Sequence, residues 1–201
     1  MTLEAIREAY RARVDEYIEA VGDIEHVSET DLAFVSSWAR GLNGPVLDVG
    51  CGPGQWTHWL DGLGLGLAVE GIDPVPEFIE RARIAYPGQR YRVGRAEALK
   101  AAPGSIGGVL AWYSLIHTRP GAIDAALAEF ARVLRPGGGL LLGFFTGAAQ
   151  EPFEHAVTTA FYWPVELLTE RLEAAGFTIQ RSETRTDRPA RAHGALTAIR
   201  I

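Results

Sequence analysis

A short strand-like run that passes directly into three closely spaced glycines constrains the fold more than any other part of this sequence. The run is Val46–Val49, and the glycines are Gly50, Gly52 and Gly54, after which helix-like spacing begins at Gln55. Glycine permits a positive backbone φ and lets a ligand approach the main chain, and the first turn of a helix presents unpaired N–H groups. Such a turn indicates a ligand site at the C-terminal edge of an open α/β sheet, although a tight connection without a ligand can have the same local sequence.

The spacing of the glycines argues against two common phosphate-binding loops. The dinucleotide pattern needs its third glycine one position later, where Gln55 stands, and a P-loop needs a lysine that this turn does not contain. Asp48 lies within the strand that enters the turn, and its negative charge suits a cationic ligand better than a pyrophosphate. The turn therefore favours a ligand that carries positive charge.

Strand-like and helix-like segments alternate along the chain after residue 45. The predicted strands are 46–49, 67–72, 90–93, 108–113, 140–145, 177–183 and 196–201, and the predicted helices are 55–60, 77–86, 122–134 and 165–175. Repeated β-then-α order with continuously apolar strands is typical of a parallel sheet covered by helices on both faces. We therefore predict an α/β fold with a doubly wound, mostly parallel seven-stranded sheet. The polar stretch 181–193 is predicted to be a solvated hairpin between the last two strands.

Two helices are predicted before the first strand. Apolar residues recur at helical spacing from Leu3 to Val21, and a second helix begins after Ser28 as its N-cap and ends near Gly41. We predict one domain over residues 1–201, in which residues 1–41 form a helical cap and residues 42–201 form the sheet with its covering helices.

Composition narrows the classes of partner and compartment. The chain has 19 basic and 25 acidic residues, and this net charge of −6 argues against a general nucleic-acid surface, which needs clustered Lys and Arg. Its single cysteine, Cys51, excludes an internal disulfide and a cysteine-based zinc cluster. The N-terminus lacks the apolar segment of a signal peptide, and no apolar run is long enough to cross a membrane, so we expect a cytoplasmic protein.

Several motifs, in order along residues 40–201, resemble those of the class I S-adenosylmethionine-dependent methyltransferases. The stretch V-L-D-V-G-C-G-P-G (46–54) is similar to the first motif of that family, and G-I-D-P (71–74) resembles the end of its second strand. The stretches R-A-E-A-L (95–99) and G-V-L-A-W-Y-S-L-I-H (108–117) resemble the following loop and the fourth strand with its turn. The stretch F-A-R-V-L-R-P-G-G-G-L-L-L (130–142) is similar to the helix, turn and strand of the small-molecule branch, the methyltransferase type 11/25 group.

The resemblance implies a Rossmann-like methyltransferase fold, with S-adenosylmethionine as cofactor and S-adenosylhomocysteine as product. By this resemblance Asp48 attracts the ammonium group of the methionine portion, and Asp73 accepts hydrogen bonds from the ribose hydroxyls, although either carboxylate could serve only as a cap or turn residue. The other residues that the resemblance assigns to the cofactor are Tyr17, Gly50, Cys51, Gly52, Pro74, Ala96, Glu97, Tyr113 and Ser114. His117 is expected to contact the reacting groups or to act as a general base, and no metal site is expected.

Aromatic residues near both ends of the chain are expected to close the site. Tyr10 and Tyr17 lie seven residues apart and therefore on one helical face, and A-Y-R-A-R-V-D-E-Y (9–17) resembles the N-terminal helix that covers the cofactor in related methyltransferases. Two tyrosines packed in the core would have the same spacing. Further aromatic residues are candidates for lining the acceptor pocket, and at least half of them are expected to serve only in packing: Trp56, Tyr113, Phe153, Phe161, Tyr162 and Trp163.

The resemblance implies an enzyme that transfers a methyl group from S-adenosylmethionine to an O, N or C atom of a small-molecule acceptor. The sulfonium is already activated, so such an enzyme needs alignment and exclusion of water rather than a catalytic dyad. Trp112, Tyr113 and Ser114 stand in place of an N-P-P-Y-type tetrapeptide, which argues against an amino methyltransferase that acts on bases or glutamine. The acidic composition further favours a small-molecule acceptor, and no nucleic-acid or membrane partner is expected.

The expected assembly is a monomer or a homodimer. Two other functions stay open at this point. One is a cofactor-binding or regulatory module without turnover, and the other is an NAD(P)-dependent Rossmann oxidoreductase, which the glycine spacing disfavours.

Overall fold

The computed structural model describes residues 2–186 and 191–201 of the chain. The helices are α1 (Leu3–Arg11), α2 (Val14–Val21), α3 (Glu29–Arg40), α4 (Gln55–Gly62), α5 (Pro76–Ala85), α6 (Ile123–Val133) and α7 (Val165–Ala174). The strands are β1 (Val46–Val49), β2 (Val69–Asp73), β3 (Arg90–Val93), β4 (Ile106–Trp112), β5 (Leu134–Phe145), β6 (Pro152–Phe153), β7 (Ala160–Phe161), β8 (Phe177–Thr186) and β9 (Ala192–Arg200).

Seven of the described strands form one sheet in the order β3-β2-β1-β4-β5-β9-β8. Neighbouring strands from β3 to β5 are parallel, whereas β9 runs antiparallel to both β5 and β8. The connections from β1 lead towards one edge and those from β4 towards the other, so the strand order reverses between β1 and β4. Ligands of open α/β sheets bind outside the carboxyl ends of the strands at such a reversal. The predicted doubly wound, mostly parallel sheet is confirmed.

The two faces of the sheet carry separate hydrophobic clusters because successive strand residues point to opposite sides. Leu140 and Leu142 of β5 pack with Leu127 and Phe130 of α6 on one face. Leu141, between them in sequence, packs on the other face in the cluster that contains Phe34 and Trp38 of α3 and Trp56 of α4. Burial on both faces explains why these strands show continuous apolar runs rather than alternation.

The N-terminal segment differs from the prediction of one long helix. The helix breaks after Arg11, where Ala12 caps α1 and Arg13 takes the non-helical φ of −132° and ψ of 22° before α2 begins. The guanidinium of Arg13, at this break, donates to the carbonyl oxygen of Ala156. The N-cap role of Ser28 is confirmed, because its hydroxyl accepts a hydrogen bond from the N–H of Asp31.

Two further boundaries are corrected by the structure. The Pro-Gly-Gly-Gly segment 136–139, expected to separate α6 from the next strand, lies inside β5, which begins at Leu134 and pairs with β4 through an irregular register. The predicted hairpin at 181–193 is occupied by β8 as far as Thr186 and by β9 from Ala192, and residues 187–190 lie outside the described part of the chain. Among the described residues, no helix combines the length and the apolarity that crossing a bilayer requires.

Candidate active site

The glycine turn after β1 lies against the end of β2, where the sheet is open. The N–H groups of Gly50 and Cys51 both donate to the carbonyl oxygen of Ile72, at 2.6 and 3.1 Å, and thereby hold the turn beside Asp73. Gly50, Gly52 and Gly54 all have positive φ, so each takes a conformation that side-chain-bearing residues rarely adopt.

Close packing adds a second requirement for glycine in this turn. A Cβ atom on Gly50 would lie 2.2 Å from the Cβ of Ser114, and one on Gly54 would lie 2.6 Å from the hydroxyl of Tyr91. The Tyr91 hydroxyl donates to the carbonyl oxygen of Gly54 at 3.1 Å. The turn is therefore supported from β3 and approached from the turn after β4.

Asp73 joins the glycine turn to the start of α5. Its Oδ2 accepts from the N–H of Gly52 at 2.9 Å, and its Oδ1 accepts from the N–H of Val75 at 2.8 Å. The side chain is buried, and desolvation raises its pKa to about 6 in spite of these two hydrogen bonds. Each oxygen of a carboxylate has lone pairs for a further donor, so Asp73 retains capacity to accept hydrogen bonds from a ligand.

Asp48 is a second buried carboxylate near the same turn. The hydroxyl of Thr57, in the first turn of α4, donates to its Oδ2 at 2.6 Å. Burial raises the pKa of Asp48 to about 7, and the negative charge of Asp73 acts in the same direction. A ligand with positive charge would stabilise the ionised form of both groups, because an opposite charge favours ionisation.

Cys51 lies between these carboxylates in a wholly buried position. Burial, together with the negative charges of Asp48 and Asp73, raises the pKa of its thiol well above the ordinary value. The thiol is therefore uncharged at neutral pH and is a poor nucleophile.

Two adjoining cavities open at this end of the sheet. The narrow cavity, about 100 Å³, runs past Asp73 towards residues 94–97, and the wide cavity, about 520 Å³, lies over Asp48 and α4. They share the residues that separate them, which are Tyr10, Tyr17, Gly50, Gly52, Trp112 and Tyr113. Every predicted site residue lines at least one cavity: Tyr17, Asp48, Gly50, Cys51, Gly52, Asp73, Pro74, Ala96, Glu97, Tyr113, Ser114 and His117.

Comparison with known proteins agrees with this arrangement. Residues 46–138 match the family described as the methyltransferase domain. This segment, just under half of the chain, is thus similar to the class I S-adenosylmethionine-dependent methyltransferases. Uncharacterized methyltransferases of Mycobacterium bovis and Mycobacterium tuberculosis are 39% identical to it over 98 residues, which cover 47% of this chain and 37% of theirs. An uncharacterized methyltransferase of Synechocystis is 36% identical over 93 residues, or 46% of this chain and 43% of its own. The matched segment thus spans less than half the length of these relatives.

Solved structures of methyltransferases share the fold of this chain over most of its length. The 1,6-didemethyltoxoflavin-N1-methyltransferase of Burkholderia thailandensis superposes with a TM-score of 0.78, covering 98% of this chain and 88% of that one at 23% identity. A methyltransferase of Methanosarcina mazei superposes with a TM-score of 0.71, covering 84% of this chain and 97% of that one at 20% identity. At these identities the likeness concerns the fold.

The N-terminal helices α1 and α2 cover the narrow cavity. Leu3, Ile6 and Tyr10 of α1 contribute to its lining, and the rings of Tyr10 and Tyr17 lie 5.4 Å apart although they belong to separate helices. The Tyr17 ring also lies 5.1 Å from that of Phe78 in α5. Burial raises the pKa of Tyr17 to about 12, so its hydroxyl is protonated at neutral pH.

His117 is fixed through both nitrogens of its ring. Its Nδ1 lies 2.9 Å from the carbonyl oxygen of Thr159, which can only accept, so Nδ1 carries the proton in the neutral ring. Nε2 lies 2.9 Å from the hydroxyl of Tyr10 and accepts from it in this tautomer. Burial lowers the pKa of His117, which favours the neutral imidazole.

Several residues of the site were not found from the sequence. Thr57, Tyr91 and Gln55 act through contacts with distant segments, which no local spacing indicates. The Gln55 amide donates to the carbonyl oxygen of Val21 at 2.9 Å and so ties the end of α2 to the start of α4. A signal for Gln55 did exist, because this polar residue follows the third glycine directly and lies where a helix begins.

The aromatic residues proposed for the acceptor pocket divide into two groups. Trp56 and Tyr113 line the wide cavity. Trp163 is instead buried in the hydrophobic cluster that contains Leu127 and Phe130 of α6. Phe153 and Tyr162 stack on each other with their ring centroids 4.2 Å apart. Phe161 lies in β7, and its N–H donates to the carbonyl oxygen of Ile116. Ring residues missed by the sequence line the wide cavity in their place: Trp112, Phe145, His155 and His193.

Proposed function

We propose that this protein transfers the methyl group of S-adenosylmethionine to an O, N or C atom of a small-molecule acceptor. The observation that carries the proposal is the placement of two buried carboxylates, Asp48 and Asp73, on either side of the turn that contains Gly50 and Gly52. Burial raises their pKa values to about 7 and about 6, so the hydrogen bonds within the protein offset the desolvation of the ionised forms only in part. A cationic ligand with donor groups would complete that compensation.

The site has unpaired buried polar atoms that fit the proposed cofactor. Oγ of Ser114 lines the narrow cavity and Oε1 of Gln55 lies on a residue of the wide one, and among the described residues neither has a hydrogen-bond partner. Unpaired buried polar atoms are costly, and a bound ligand commonly satisfies them. We propose that Gln55 and Asp48 face the methionine portion, that Asp73 accepts from the ribose hydroxyls, and that Ala96 and Glu97 border the adenine.

The small volume of the narrow cavity supports a movement of the N-terminal helices when the cofactor binds. Small-molecule sites commonly have volumes of roughly 300–1,000 Å³, whereas this cavity measures about 100 Å³. Leu3, Ile6 and Tyr10 of α1 take up the space beside Asp73. We propose that residues 1–41 form a cap on the core of residues 42–201, and that α1 and α2 act as a lid that opens for the cofactor.

The cofactor supplies an activated methyl group, so this chain's own residues bind, orient and exclude water. Tyr10 and Tyr17 close the narrow cavity over Asp73 and keep water from the reacting atoms. Because both ring nitrogens of His117 are already engaged, we propose that it positions the lid and the β4 turn rather than acting as a general base. We also propose that the protein is cytoplasmic, that it is a monomer or a homodimer, and that it has no nucleic-acid or membrane partner.

Titration calorimetry with S-adenosylhomocysteine tests the proposed function. We expect saturable binding to the wild type and clearly weaker binding to Asp73→Asn, while Glu80→Gln, an exposed site on α5, serves as the matched control. The absence of heat and of a thermal shift at millimolar ligand would contradict the proposal. Binding of NADH in its place would indicate an oxidoreductase, and cofactor binding without turnover on any acceptor would indicate a regulatory module.

A further inference from the structure

The residues that line the wide cavity indicate which class of acceptor can bind there. This inference rests on the proposed function, in which the cofactor lies against the glycine turn between the two cavities. The acceptor then reaches the cofactor from the wide cavity. Tyr113 lines both cavities and takes a left-handed φ of 55°, a strained conformation for a side-chain-bearing residue. A molecule packed against Tyr113 in the wide cavity would therefore lie next to the reacting methyl group.

Ring-bearing side chains form a continuous series along this cavity. The Trp56 and Trp112 centroids are 5.6 Å apart, those of Trp112 and Tyr113 are 5.3 Å apart, and those of Tyr113 and Phe145 are 5.2 Å apart. The series continues to the rings of His155 and His193, at 5.9 and 5.4 Å from Phe145. Such rings bind other flat rings in stacked or edge-to-face geometry, with a preference beyond the area that they bury.

The charged groups of the wide cavity do not favour an anionic acceptor. The guanidinium of Arg185 forms a two-pronged ion pair with Asp31, at 2.5 and 2.6 Å, and that of Arg13 donates to the carbonyl oxygen of Ala156. The carboxylate of Glu16, which also lines the cavity, would repel a negative charge. Burial lowers the pKa of His155 to about 4, so this ring is neutral at physiological pH. Both lining arginines of the described chain already have partners.

We propose that the methyl acceptor is an uncharged, planar aromatic or heteroaromatic molecule of two or three fused rings. The ring series from Trp56 to Phe145 binds its faces and edges. The hydrogen-bonded pair formed by the Tyr113 hydroxyl and Nδ1 of His193, 2.6 Å apart, lies where a polar substituent of the acceptor can bond. The cavity volume of about 520 Å³ accommodates such a molecule together with part of the cofactor.

Three matched probes separate planarity from charge. Titration calorimetry of the protein saturated with S-adenosylhomocysteine would compare β-naphthol, its saturated counterpart decahydro-β-naphthol, and β-naphthyl phosphate. We expect β-naphthol to bind with a dissociation constant at least about ten-fold lower than either of the others. Equal or tighter binding of the saturated alcohol would overturn the inference of a planar acceptor. Tighter binding of the phosphate would overturn the inference of an uncharged one, and no binding of β-naphthol would overturn both.

A pair of variants locates the binding to the wide cavity. Phe145→Leu removes the central ring of the series while keeping an apolar side chain, and we expect it to weaken β-naphthol binding several-fold. Ile84→Val, at an exposed position of α5, is the matched control and should leave that binding unchanged. Thermal unfolding of both variants checks their folding. Equal effects of the two substitutions would show that β-naphthol binds elsewhere.

The outcome for the cofactor stays distinct from the outcome for the acceptor. Failure of S-adenosylhomocysteine to bind would contradict the proposed function, and the probe series on the ligand-free protein would still report on the wide cavity. Normal S-adenosylhomocysteine binding with no preference among the probes would contradict only the acceptor class.

Discussion

The hydroxyl of Tyr10 lies 2.9 Å from Nε2 of His117, although the two residues are 107 positions apart in the chain. This hydrogen bond joins helix α1 to the turn after β4, and His117 in turn binds the carbonyl oxygen of Thr159. One imidazole therefore links the proposed lid, the open edge of the sheet and the segment before β7.

Amide exchange tests whether α1 and α2 behave as a lid. No residue of either helix is fully buried, and several of their contacts to the core are exposed ion pairs such as Arg11 with Glu77. Elements with few buried contacts open at low free energy. We expect rapid exchange of residues 3–21 in the ligand-free protein and clear protection with S-adenosylhomocysteine. Strong protection in both states would make these helices part of the core.

Tyr10→Phe should loosen this lid while keeping its ring contacts. The substitution removes one hydrogen bond, worth about 0.5–1.5 kcal/mol, so exchange in α1 should accelerate by about 2- to 10-fold. Glu8→Gln, at an exposed position on the same helix, is the control and should leave exchange near the wild-type rate. Unchanged exchange in Tyr10→Phe would show that the contact to His117 does not hold α1 in place.

Asp73→Asn should weaken cofactor binding and loosen the glycine turn together. The N–H groups of Gly52 and Val75 each donate to one oxygen of Asp73. The asparagine oxygen can still accept from one of them, but its NH₂ group would then face the other N–H, and two donors cannot bond. A hydrogen bond to a charged group is worth about 1.5–3 kcal/mol, so we expect roughly ten- to hundred-fold weaker S-adenosylhomocysteine binding by calorimetry. Wild-type affinity in the variant would assign the ribose to another residue.

The stability of the ligand-free protein should depend on the ionisation of Asp48 and Asp73. Their folded-state pKa values, about 7 and about 6, lie above the ordinary 3.8, so the folded state holds more protons than the unfolded state between these values. Their contribution to the free energy of unfolding therefore falls as the pH rises from about 4 to about 7. His117 and His155, whose pKa values are lowered, act in the opposite direction.

Asp48→Asn isolates one part of this pH dependence. Urea unfolding across the same pH range should show that stability falls less steeply with pH, or rises more steeply, in the variant than in the wild type, because the variant has one fewer raised carboxyl pKa. The amide oxygen can still accept from Thr57, which limits the loss of packing. Parallel pH curves for the two proteins would refute a raised pKa at Asp48.

Gln55→Met should free the end of α2 from α4. Methionine has a similar length but cannot donate to the carbonyl oxygen of Val21, so the amides near that end should exchange about 2- to 10-fold faster. Gln89→Met removes the exposed hydrogen bond to Asp61 and is the matched control. The same exchange rate in both variants would mean that Gln55 does not tether the lid.

Most of the sheet could be predicted because its signals are local. Apolar runs such as 140–145 indicate strands buried on both faces, and the segment 90–93 agrees with β3 at both ends. The break between α1 and α2 was missed, because Arg13 has a high helix propensity and yet takes a non-helical conformation where it contacts the distant Ala156. Likewise Trp163 was a candidate for the pocket, and only tertiary packing shows that it belongs to the core.

The sequence by itself determined the alternation of strands and helices, the turn at Gly50–Gly54 and the acidic residues beside it. Period, turn chemistry and charge are properties of neighbouring residues, and they survive without knowledge of the fold. The tertiary structure alone decided that Tyr10 meets His117, that Thr57 holds Asp48, and which rings line the wide cavity. These contacts arise where the ends of separate strands and a covering helix converge, and that convergence is set by packing of the whole chain.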